Sequence, residues 1–150
     1  MHLWSKVGSF TLEGTGHVEM TFTGTLLLNN FKGQASVTGG VRKEFEGMGR
    51  RAWFGTGKAV LDGNFRRVLW FGKNVDCVWT GKGNAMVYGE YDQKQETGFV
   101  QVDKEPTWPW LTTGRQFFVP ATDTPGYQEM KKNQGKSAPG NGSPKPLKVG

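Results

Sequence analysis

The chain has 150 residues, a net charge of +6, 35% hydrophobic residues, 23 Gly and 7 Pro, and no stretch free of Gly and Pro exceeds eight residues. Helices usually need ten or more uninterrupted positions, and an interior Gly costs about 1 kcal/mol, so bundles, coiled coils and βαβ enzymes are excluded. A helical membrane span is excluded too, because no run approaches the ~20 apolar residues it requires.

The N-terminus, Met1 to Gly8, reads as strand at once, with no apolar leader core and no small-residue cleavage site, and a cytoplasmic location is expected. Val18, Met20 and Phe22 share one parity, as do Val75, Cys77 and Trp79. Such alternation between Gly-rich breaks signals strands. Turns are expected at Asn29-Asn30, Gly39-Gly40, Asp62-Gly63, Gly72 to Asn74, and Tyr91 to Thr97, dividing the chain into nine to eleven strands.

A short motif recurs within this pattern. Gly33-Gln34-Ala35-Ser36-Val37-Thr38-Gly39 matches Gly57-Lys58-Ala59-Val60-Leu61-Asp62-Gly63, and both match Gly83-Asn84-Ala85-Met86-Val87-Tyr88-Gly89. Every second side chain of a strand faces the same way. Trp53, Gly55, Gly57, Ala59, Leu61, Gly63 and Phe65 therefore share one face, while Thr56, Lys58, Asp62 and Asn64 share the other. Gly inside a strand is unfavourable unless the missing side chain is used: rings cover the bare backbone, another backbone approaches closely, or the strand bends. All three uses imply a curled sheet. Repetition of this length ranks a β-solenoid or β-helix first, with an antiparallel barrel or sandwich as the alternative. In texture rather than membership, the motif resembles the Gly-punctuated coils of bactofilins, polymer-forming bacterial scaffold proteins. That resemblance implies stacked coils and self-assembly.

Few residues point to catalysis. His17, with Glu19 on its own parity, reads as a surface histidine, and one cysteine, Cys77, can form neither an intrachain disulfide nor a zinc cluster. Gly47-Met48-Gly49 and Gly55-Thr56-Gly57 lack the helix that a nucleotide loop requires. Glu90, Asp92 and Glu96 read as a solvated turn. No catalytic, cofactor-binding or metal-binding residue is assigned, and no cofactor is expected.

The candidate ligand or partner contacts are basic pairs flanked by aromatics: Arg50, Arg51 and Trp53, then Arg66, Arg67 and Trp70. Such a surface stacks and neutralises single-stranded nucleic acid, or stacks on the sugars of a glycan. It also suits the protection of a sheet edge. Trp108 and Trp110, held by Pro106 and Pro109, form a stiff segment that also counts among the candidate ligand or partner contacts; it is read as capping the open end or edge of the sheet, with insertion into a neighbouring subunit as the alternative. Residues 1–120 are read as one all-β domain, because they hold 18 of the 19 aromatics. Residues 121–150 are read as a flexible tail, in which Lys131, Lys132, Lys136, Lys145 and Lys148 suit an anionic partner. The expected function is a non-enzymatic structural protein that self-associates as a homo-oligomer. The alternative is a binding module for single-stranded nucleic acid or glycan.

Overall fold

A computed structural model describes residues 1–89, 97–102 and 107–119. The expected turn from Tyr91, its carboxylates and the basic tail lie outside the described residues, Thr97 apart. The fold is all-β, and the described residues form four strands: β1 (His2–Gly47), β2 (Arg50–Gly89), β3 (Gly98–Gln101) and β4 (Arg115–Val119). They form one antiparallel sheet in the order β3-β1-β2-β4.

A straight strand the length of β1 would extend ~150 Å. Instead the β1–β2 hairpin curls back on itself, so that along much of β1 both edges pair with β2. Thr15 faces Lys82 on one edge and Asn64 on the other, 18 residues apart in the same strand. The result is a curled antiparallel sheet, a half-barrel.

The stacked coils of a β-solenoid are not what the ladders show, because β1–β2, β1–β3 and β2–β4 are all antiparallel. The motif copies are not stacked units either. The first two are cross-strand mates running in opposite directions: Gly33 faces Gly63, Ala35 faces Leu61, Val37 faces Ala59 and Gly39 faces Gly57. The third faces the segment from Gly8 to Gly14, with Ala85 opposite Leu12 and Val87 opposite Phe10. Small residues thus stand beside large ones along the inner face.

The curl follows rows of glycine running across the strands. Gly89, Gly8, Gly72, Gly24 and Gly55 are successive neighbours in one row, and Gly81, Gly16, Gly63 and Gly33 in another. At Gly16, φ is +132°, and a Cβ would meet the Thr80 carbonyl and lie 2.7 Å from the Gly81 Cα. Only a residue without a side chain lets the two backbones come this close.

The expected turns at Asn29-Asn30 and Gly72 to Asn74 are irregularities inside continuous strands. Asn30 (φ 50°) and Asn74 (φ 51°) take the left-handed conformation that Asn tolerates. Around them the buried parity changes: Leu26 and Leu28 are buried before Asn30, and odd-numbered Phe31, Ala35 and Val37 pack on the core after it. In β2, Phe65 is buried on the odd parity, Val68 and Trp70 on the even, then Val75, Cys77 and Trp79 on the odd again. Gly39-Gly40 and Asp62-Gly63 lie within paired strand. The hairpin turn is at Met48-Gly49, both with positive φ, and Met48 is almost wholly exposed. Because pairing runs through the bends, the described residues form two long and two short strands rather than nine to eleven.

The core is the concave face, filled by Phe10, Leu12, Met20, Phe22, Leu61, Trp70 and Trp79 among others. Cys77 is fully buried within it, and burial pushes its thiol up to about 12. A neutral, enclosed thiol does not react. Ellman's reagent is therefore expected to leave the native chain unmodified and to titrate one thiol per chain once denaturant unfolds it. Stoichiometric reaction of the native protein would place Cys77 outside the core.

The expected cap is present at one end. Trp108 and Val100 exchange backbone hydrogen bonds of 2.8 Å, and Trp110 is fully buried beside Gly8 and Gly89.

Candidate functional sites: an open edge and a basic cleft

Two surface features lie near the hairpin turn. The first is an edge. Residues 31–47 of β1 pair with β2 on one side only, among the described residues, whereas residues 8–29 pair largely on both. The curl ends here, and among the described residues no second ladder meets this row of backbone donors and acceptors. The nine residues from Gly33 to Val41 contain no charge and no Pro. Natural edges are usually blunted by one of these. Charge returns only at Arg42 to Glu46, where Arg42 pairs with Glu44 and Lys43 with Glu46, both at 2.9 Å. A row of side chains crosses the convex face towards this edge: Tyr88, Ser9, Phe71, Thr25 and Phe54 are successive cross-strand neighbours, ending on Arg42 of the edge, with Ser9 and Thr25 half-buried between the exposed rings. Phe71, Phe54 and Tyr88 are each more than 40% exposed.

The second feature is a cleft of about 680 Å³ beside the turn, lined by Phe31, Lys32, Glu46, Arg50, Arg51 and Arg66 among others. Asn30 builds it. Its left-handed backbone kinks β1, and its N–H donates to the Gly49 carbonyl at 2.7 Å, drawing the hairpin turn against the bend. Across the sheet, β2 changes parity between Phe65 and Val68, so consecutive Arg66 and Arg67 are both exposed. Arg50 is exposed at the start of β2. The Arg51 guanidinium lies 5.8 Å from the Phe31 ring centre and 5.9 Å from that of Trp53, within cation–π range of both rings. Four cations thus meet one carboxylate, Glu46. Its hydrogen bond from Lys43 is the main reason that its carboxyl sits below the usual glutamate value, with the charges of Lys43 and Arg51 adding to it.

The structure therefore brings together Arg50, Arg51 and Arg66, and places the other sequence-predicted contacts elsewhere. Arg67 is exposed opposite Asn29, outside the cleft lining. Trp53 is 8% exposed under Arg51 and Lys43. Trp70 is fully buried, its Nε1 donating to the Thr23 carbonyl at 3.3 Å. Trp110 is buried, and Trp108 is half-buried with the Arg115 guanidinium 5.6 Å from its ring centre. Neither Trp70 nor Trp110 offers a face to a ligand. Phe31, Lys32 and Asn30 were not singled out by the basic-aromatic pairs. Their signal was Asn in a strand of otherwise regular alternation, which marks a left-handed bend.

His17 lies on the convex face, its Nδ1 2.7 Å from Asp62 and its Nε2 3.3 Å from Glu19. Hydrogen bonds to Asp62 and then Glu19 raise its pKa above the usual histidine value. Among the described residues, no group of three or more His, Cys, Asp or Glu is placed to hold a metal ion. No described helix is long and apolar enough to cross a membrane, which says nothing of a β-barrel.

Fold and surface together define an antiparallel half-barrel with an unguarded edge and an adjoining basic cleft. No family model, curated protein or solved structure matches this chain.

Proposed function

We propose that the protein is a structural subunit that self-associates by pairing the free edge of β1 with the same edge of a second copy. One observation carries this reading: among the described residues, 33–41 present an edge without a second ladder, and they contain neither charge nor Pro. A bare edge is a template for another strand, and two identical antiparallel edges satisfy each other about a two-fold axis. Main-chain hydrogen bonds would give the affinity, and partly buried Ala35, Val37 and Val41 would bring apolar surface to the joint. The convex row ending on Arg42 would continue from one copy into the next.

Light scattering coupled to size-exclusion chromatography tests the reading. The full chain is expected to run as a dimer in equilibrium with monomer, its mean mass rising with concentration towards twice that of the chain. The double variant Ser36→Lys/Thr38→Lys places two charges on exposed edge positions without touching the core, and is expected to shift the protein to monomer with its melting temperature little changed. A wild-type chain that stays monomeric at every concentration removes the proposal. So does an assembly that this variant leaves intact.

A further inference from the structure

The cleft beside the hairpin turn carries an inference independent of the edge. We infer that it binds the phosphates of a single-stranded nucleic acid, with Arg50, Arg66 and Lys32 engaging successive phosphates and Arg51 presenting a flat surface to a base.

Charge complementarity comes first. Lys32, Arg50, Arg51 and Arg66 line one concavity, and none of them forms an ion pair among the described residues. Glu46, the one acid there, is already engaged by Lys43 at 2.9 Å. Four cations facing one carboxylate leave the concavity with net positive charge, and a polyanion relieves their mutual repulsion. Three of the four are arginines, whose planar forks match phosphate oxygens.

Shape and stacking then separate a nucleic acid strand from other anions. At about 680 Å³ the cleft is of ligand size and has room for more than one phosphate. Arg51 lies within cation–π range of the Phe31 and Trp53 rings, and Phe31 is itself stacked on Phe65 at 6.3 Å with an 8° angle between planes. Half-buried Phe31 and the Arg51 guanidinium beside it offer ring and cationic surface on which a base can stack, and bases supply such rings whatever the sequence. Sulfated glycans bring the charge but no flat π-face. Exposed Arg67 stands next to Arg66 and extends the basic track beyond the cleft.

The test is fluorescence anisotropy of a labelled oligothymidylate 12-mer with the full chain, titrated at stepped NaCl concentrations. Binding is expected to weaken linearly on a log–log plot, with a slope of about −2 to −3 for three to four neutralised phosphates. Arg50→Gln/Arg66→Gln is expected to weaken binding at least tenfold and flatten the slope by roughly one unit. Lys73→Gln/Lys82→Gln, away from both the cleft and the edge, is expected to leave both unchanged. Melting curves for each variant separate loss of binding from loss of fold. Absence of binding at 20 mM NaCl overturns the inference. So does binding lost on neutralising the tail lysines but not Arg50 and Arg66. A heparin oligosaccharide that binds more tightly than the DNA, with the same dependence on Arg50 and Arg66, also overturns it and makes the cleft a glycan site.

Discussion

Replacing Gly24 with Ala is expected to destabilise the fold by more than about 3 kcal/mol, the sum of backbone strain and overpacking. Gly24 has φ +130°, and a Cβ there would meet the Phe71 carbonyl and sit 2.8 Å from the Gly72 Cα. Those neighbours are backbone atoms, so no side-chain rotation relieves the clash. The strand cannot shift away from Gly72 either, because Gly24 also faces Gly55 on its other edge. Gly40 supplies the control. It lies on the free-edge strand with no positive φ, and a Cβ would be no nearer than 3.3 Å to any atom, the Thr56 carbonyl oxygen. Gly40→Ala is expected to change stability by less than about 1 kcal/mol, aided by reduced freedom of the unfolded chain. Urea unfolding followed by tryptophan fluorescence measures both. Equal stability of the two variants would mean that close approach of backbones in the glycine rows is not what holds the curl.

The inner face was legible because strand periodicity is rigid: Trp53, Ala59, Leu61 and Phe65 share a parity in the sequence and are all buried in the structure. The glycines were legible as a demand for close contact, which is met by backbone at Gly16 and by the Tyr88 carbonyl together with the Trp110 ring at Gly8. Direction was not legible. A motif with Gly at both ends, Ala second and Val or Leu third among its inward residues is nearly the same read backwards. Gly33 to Gly39 therefore pairs with a reversed copy of itself as readily as it would stack on a forward one. Self-similarity along the chain cannot separate those arrangements, whereas the ladders do. The cleft was half legible for a related reason. Paired arginines stand out in sequence, but which pairs converge depends on one left-handed residue, Asn30, that redirects β1. The neighbouring tryptophans misled because alternation near a bulge loses its phase. Trp70 lies between the irregularities at Arg66-Arg67 and Asn74, and there the even parity faces inward.

Trp110→Ala is expected to remove about 3–5 kcal/mol, the range for truncating a large buried aromatic. This residue lies outside the β1–β2 ribbon, yet its ring closes one end of the core. A Cβ added at Gly8 or Gly89 would lie 3.0 Å from that ring and as close or closer to a backbone carbonyl, of Tyr88 and Val7 respectively, so both glycines make room for the indole as well as for the neighbouring strand. The ring also meets Phe10 edge-on at 6.4 Å, and its Nε1 donates to the Phe99 carbonyl at 2.9 Å. These contacts predict a graded series. Trp110→Phe keeps most of the packing but leaves the Phe99 carbonyl without its donor, for a loss of about 1–3 kcal/mol. Trp108→Ala removes a half-buried ring stacked under Arg115 and is expected to lose less than Trp110→Ala, about 1 kcal/mol. Thermal melts of the three variants measure the order. If Trp108→Ala proves as damaging as Trp110→Ala, the capping contribution belongs to the backbone bridge between Val100 and Trp108 and not to the indole over the glycines. If the predicted order holds, the glycine row at this end depends on a ring from beyond the ribbon, just as the rows inside it depend on the absence of side chains.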